Sequence, residues 1–148
     1  MRAILFLLCA LAQAAEPPKF DQFSAGLAFR GTPAPARPTT KKQLLFKTQI
    51  REGAKKGSNF AGHYTIIEWG CGAGCVSGAV VDAKTGVVYS LPFDTISAAE
   101  GGSLSYQIDS RLLIARGCLN ENQTSCGAYY YDWTASRFNL VQSDVTRK

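Results

Sequence analysis

A single histidine stands among the 148 residues of this chain. That excludes a metal site built on a histidine pair and confines imidazole acid–base chemistry to one position. No serine sits in a nucleophile-elbow pattern, and the glycine-rich stretch from Gly70 to Gly78 does not lead into a helix, so neither a hydrolase turn nor a phosphate cradle is spelled out. After the first fourteen residues no stretch approaches the ~20 apolar residues a spanning helix needs. Zinc-finger, helix-turn-helix and aromatic-rich RNA-binding signatures are missing, which argues against a nucleic-acid partner. Nothing in the sequence implies a cofactor.

The chain does carry the marks of export. Arg2, an apolar run from Ala3 to Ala12 and the small-x-small triplet Ala12, Gln13, Ala14 read as a signal peptide over residues 1–14. Of the five cysteines, Cys9 falls in that segment, which leaves an even set of four, Cys71, Cys75, Cys118 and Cys126. In an oxidising compartment such a set predicts two disulfides, and the expected location is periplasmic or secreted. Four cysteines allow three connectivities. The local pairing, Cys71 with Cys75 and Cys118 with Cys126, is expected because each couple brackets a short glycine-rich or polar loop between strand patterns.

Residues 15–40 hold five of the six prolines and read as an extended arm, while Phe20, Phe23, Leu27 and Phe29 predict that it straps across the domain. A single disulfide-stapled domain follows over 41–148. Thr39 or Thr40 can cap an amphipathic helix over 41–56, with Gly57 as its stop. At helical spacing Phe46, Ile50 and Ala54 form one stripe, whereas Leu44 and Leu45 fall on the polar side, where a mis-set helix start or the arm would have to account for them. From His63 the period changes to two, with seven candidate strands at 63–70, 75–83, 87–92, 104–109, 112–118, 127–134 and 137–142. The expected fold is α+β, mainly an antiparallel meander forming a sheet or partly closed barrel, with one N-terminal helix. Alternation puts Tyr129, Tyr131 and Trp133 on a core-facing side.

Charge is uneven. Residues 37–56 carry seven basic groups, among them Lys41, Lys42, Lys47, Arg51, Lys55 and Lys56, against Glu52 alone. This basic surface suits a solvated helix face or an anionic envelope surface. The candidate functional residues cluster just beyond it. His63, with Glu68 or Asp82 as an orienting carboxylate, is the one arrangement open to a small envelope hydrolase, and Tyr64 and Trp69 stand in the same segment. The favoured reading is structural: His63 is expected to be buried and to hydrogen-bond the backbone where the helix-to-strand loop meets the sheet, heading the mostly apolar row Thr65, Ile67, Trp69. A thiol oxidoreductase would need Cys71 and Cys75, but these have three residues between them on a turn, not two at a helix start.

The blocks Gly57-Ser58-Asn59-Phe60-Ala61-Gly62-His63-Tyr64, Trp69-Gly70-Cys71-Gly72-Ala73-Gly74-Cys75 and Val81-Asp82-Ala83-Lys84-Thr85-Gly86 resemble a family of small exported bacterial proteins of uncharacterised function. The resemblance covers residues 46–92. It implies export and a disulfide-containing domain, and carries over no catalytic residue or ligand. The leading expectation is an exported, non-enzymatic binding protein, of the inhibitor or immunity type, whose partner is an envelope or extracellular protein.

Overall fold

The structure, a computed structural model, describes residues 14–99 and 102–146. The expected signal peptide, residues 1–14, lies outside them except for Ala14. Helix formation starts where the sequence places it: Thr40 accepts the Gln43 N–H at 3.2 Å, and the Gln43 side chain accepts the Thr39 and Thr40 N–H groups. Gln43 is buried, and its Nε2 donates to the Val88 carbonyl, so the cap is tied to the sheet. The helix does not run unbroken over 41–56. It divides into α1 (Lys41–Leu45) and α2 (Lys47–Ala54) at Phe46, whose φ of −110° and ψ of 23° leave the helical range. The break lays the Phe46 ring flat on Trp69, with centroids 4.6 Å apart. Leu44 and Leu45 remain exposed, so the arm does not cover them.

Eight strands follow: β1 (Tyr64–Gly70), β2 (Cys75–Asp82), β3 (Val88–Ser90), β4 (Ile96–Ser97), β5 (Ser103–Ser105), β6 (Leu112–Leu119), β7 (Cys126–Trp133) and β8 (Phe138–Val145). All pairings between them are antiparallel. The path β1-β2-β4-β6-β7-β8 forms one open sheet, with β3 sharing the far edge of β2 and β5 sharing that of β6. Two wings are therefore joined by β4, which bonds to residues 75–76 on one side and 118–119 on the other. The expected meander of seven strands lacked this two-residue seam, which is too short to leave a periodic signal. The barrel alternative does not occur, because β1 and β8 are not paired.

The wings enclose the main core. Tyr64, Ile66 and Val80 from one meet Leu113, Ala115, Tyr129, Tyr131 and Trp133 from the other, with Phe60 and Ile96 fully buried among them. On the outer face of β1 and β2, Ile50 and Ala54 of α2 pack on Ile67, Trp69, Ala79 and Val81. The helix sits so close that a Cβ on Gly53 would lie 2.6 Å from Ile67 Cγ2. The arm crosses both wings: Ala25 and Phe23 bond to Asp109 and Arg111, whereas Phe29, Ala34 and Arg37 bond to Gly62, Ala83 and Gly86. Phe20 and Phe23 cover Leu112, Ile114 and Tyr130. Leu27 does not join them and is 99% exposed, because Gly26, at φ +78°, turns the chain outward there.

Disulfides join Cys71 to Cys75 and Cys118 to Cys126. The first closes the β1–β2 hairpin, and the second links directly opposed residues of β6 and β7. Two such bonds are consistent with an extracellular or periplasmic protein. Among the described residues no helix is long and apolar enough to cross a membrane.

Candidate functional site

The five candidate residues do not form one site. His63 lies in a turn rather than in β1, because Ala61 (φ +46°) and Gly62 (φ +83°) reverse the chain while Tyr64 N–H returns to the Phe60 carbonyl. Its side chain is half-buried against Tyr64 and does not head the apolar row, and the hydrogen bond expected to tie it to the backbone is not among those the described residues make. Nε2 stands 3.9 Å from Asp82 Oδ1, outside hydrogen-bond range. That same oxygen accepts the Lys84 N–H at 2.8 Å, and the Asp82 carbonyl accepts from Thr85 and Gly86, so Asp82 organises the β2–β3 turn. Burial pushes the His63 pKa below its ordinary value; Asp82 opposes this, and Lys84 adds to it. Asp82 thus neighbours the imidazole without orienting it.

Glu68 belongs elsewhere. It lies four residues along β1 from Tyr64, about 13 Å at the ordinary rise, and its Oε2 accepts the Tyr106 hydroxyl at 2.7 Å. Burial first, then the hydrogen bond to Glu68 and its charge, hold the Tyr106 hydroxyl protonated well above its usual range. With Lys56, Asn59 and Thr65 the pair lines a cleft of about 220 Å³. Trp69 is buried beneath Phe46 in the outer cluster, with Nε1 unpartnered, so it serves packing. Tyr64 faces the inner core, its hydroxyl donating to the Ala135 carbonyl.

The basic surface is partly neutralised. Lys42 pairs with Asp94 at 2.9 Å and Lys55 with Glu52 at 2.7 Å, whereas Lys41, Lys47, Arg51 and Lys56 are exposed with no ion pair among the described residues. No group of three His, Cys, Asp or Glu side chains among the described residues is arranged to hold a metal ion.

The two edges of the sheet differ in a way the sequence reading missed. At β1, Asn59 occupies the outward backbone of Ile66: its Oδ1 accepts the Ile66 N–H at 2.7 Å and its Nδ2 donates to the Ile66 carbonyl at 3.0 Å. Tyr64 is likewise bonded to Phe60, so half of that edge is taken. At β8 the Thr146 N–H bonds to Cys126 and the Arg137 carbonyl accepts from Thr134. Counting by twos from each end, Phe138, Leu140, Ser143 and Val145 turn their backbone groups away from β7. A bulge beside Tyr130 and Tyr131 lets Val141 slip out of register between the two halves. Leu140, Val141 and Val145 are 56%, 47% and 39% exposed. The alternation of Phe138, Leu140 and Gln142 was visible in the sequence, but whether a strand is interior or at an edge depends on topology.

Comparison with protein-family models, curated proteins and solved structures finds no match to this chain.

Proposed function

We infer that the chain is an exported, non-enzymatic binding protein that holds a partner polypeptide by adding a strand to β8. The observation that carries this reading is the contrast between the edges: half of one is taken by Asn59 and Phe60, whereas the other presents backbone groups with no partner among the described residues, flanked by exposed apolar side chains. Long apolar edges are a hazard that folds ordinarily cover or charge, and strand addition is a recurrent way to recognise an extended segment. Two disulfides favour the periplasm or the exterior as the place of action, and an inhibitor or immunity-type partner of an envelope protein fits a small stapled domain of this kind. Kinship with the small exported bacterial proteins resembled by residues 46–92 belongs to the same proposal.

The hydrolase reading draws no support from the site, since among the described residues His63 makes no side-chain hydrogen bond and its Nε2 stands 3.9 Å from Asp82 Oδ1. The test is affinity capture of envelope proteins on wild-type protein and on Ser143→Pro, which removes an outward-facing N–H without touching the ladder to β7. Capture of a defined protein by the wild type, with loss in the variant at unchanged melting temperature, is expected. Equal capture by both would move the binding surface away from β8.

A further inference from the structure

We propose that the solvent face of α1 and α2 docks on an anionic phospholipid bilayer, with Leu44 and Leu45 entering the headgroup region and Lys41, Lys47 and Arg51 held against lipid phosphates. This surface is separate from β8, and the inference stands whether or not that edge receives a strand.

It begins from an inversion. Helix positions that face a sheet are ordinarily apolar, and those that face water are polar. In α1 the order is reversed: Gln43 is buried, while Leu44 and Leu45 stand 48% and 75% exposed. The fold imposes this from both sides. Gln43 is held inward by its bonds to the Thr39 and Thr40 N–H groups and to the Val88 carbonyl, and Phe46 is held inward by its stacking on Trp69. Two helical residues between two inward ones three apart must point out. A pair of neighbouring leucines left in water by such firm anchoring on either side marks a surface that meets something apolar.

Charge identifies what that is. Lys41 lies one turn before Leu45 on the same side of α1, and Lys47 and Arg51 follow on the first two turns of α2. All three are exposed with no ion pair among the described residues, whereas the acidic groups Glu52 and Asp94 are already paired with Lys55 and Lys42. The leucines are therefore set in a surplus of positive charge. An acidic polypeptide would complement the cations alone, because two adjacent leucines projecting from one short helix enclose no groove for its side chains. An anionic bilayer complements both: the apolar tips enter the interface, and the lysine and arginine stems lie along it with their charges at the phosphates.

The experiment uses the full chain, with vesicles of phosphatidylcholine alone and vesicles containing about one-third phosphatidylglycerol. The apolar run over residues 3–12 has its own affinity for lipid, so the signal is read at the patch itself. Leu45→Trp places a reporter there against Trp69 and Trp133, which are both buried. Its emission should move to the blue and be quenched by brominated acyl chains on the anionic vesicles, less at high salt, while Leu140→Trp on β8 should show neither change. In the Leu45→Trp background, Lys47→Gln with Arg51→Gln should weaken the response roughly 25-fold, at about fivefold per cation, and Leu44→Ser should weaken it by up to roughly tenfold. These side chains are all exposed, and melting curves report any loss of fold. A reporter that stays in water on anionic vesicles, responds equally to phosphatidylcholine alone, or ignores the loss of both cations overturns the proposal. Salt-sensitive binding of an acidic protein at the patch, with the reporter unmoved by lipid, would likewise overturn it and give the surface to a polypeptide.

Discussion

Replacing Asn59 by alanine removes two hydrogen bonds with one side chain. Its amide mimics a neighbouring strand at the outward edge of β1, taking both the N–H and the carbonyl of Ile66. A typical hydrogen bond of this kind contributes about 0.5–1.5 kcal/mol net, and leaving a part-buried backbone group without a partner costs more. The pair together is therefore worth about 2–3 kcal/mol, since water reaches the edge only in part. For a domain of this size that corresponds to a fall in melting temperature of roughly 5–10 °C. Urea denaturation gives the free energy, and hydrogen exchange at the Ile66 amide reports the bond itself. Asn59→Asp keeps the acceptor and loses the donor, so it should recover the Ile66 N–H protection while restoring only part of the stability. An Asn59→Ala protein within about 0.5 kcal/mol of wild type, with the Ile66 amide still protected, would refute the strand-mimic account and with it the contrast between the edges.

Ile50→Ala, at a fully buried position under α2, should cost about 2–5 kcal/mol with no change in urea m-value. Changing Cys118 and Cys126 together to serine opens a loop eight residues long and should cost about 2.5 kcal/mol by loop-closure entropy, measured by denaturation. His63 titrates below its ordinary pKa in the fold, so the unfolded chain binds the extra proton first as pH falls. Stability should be fully present above the ordinary histidine value of about 6.5 and decline as pH drops through it toward the folded value; His63→Gln should flatten that decline. At neutral pH the same substitution should change stability by less than about 1 kcal/mol, because the ring makes no hydrogen bond, and a larger loss would mean that the imidazole has a partner in solution.

Much of the fold was legible because local chemistry and tertiary structure agree. The Thr40 cap, the Ile50 and Ala54 stripe, the Tyr129, Tyr131, Trp133 file and the two local disulfide pairs were expected from the residue pattern and are present, whereas the helix ends at Ala54 with Lys55 as its C-cap, ahead of Gly57. The helix break at Phe46 was not legible, since nothing in the residues from Lys41 to Lys56 announces that Trp69 will draw the ring down from another part of the chain. Likewise β4 owes its two residues to being caught between β2 and β6 rather than to its own pattern. The candidate site failed for a related reason. Spacing put His63 on a strand, but the positive φ values at Ala61 and Gly62 lift it off, and Asp82 is drawn into its own turn. The Asn59 clasp carries a signal only in retrospect, as an amide placed seven residues before the backbone it serves.

The arm has a consequence for the order in which the molecule is completed. Residues 23–37 leave the ribosome before any of the backbone groups to which they bond, at Gly62, Ala83 and Gly86 in one wing and at Asp109 and Arg111 in the other. The hairpins and their disulfides close over a few residues each and can form early, whereas the arm must wait for contacts as much as ~90 positions away, whose closure is slow. It is then the clasp fastened last, and until it is fastened the wings are held to each other by the two residues of β4 and their shared core. A protease cutting the arm at exposed Leu27 would return the protein to that unfastened state without breaking a single strand.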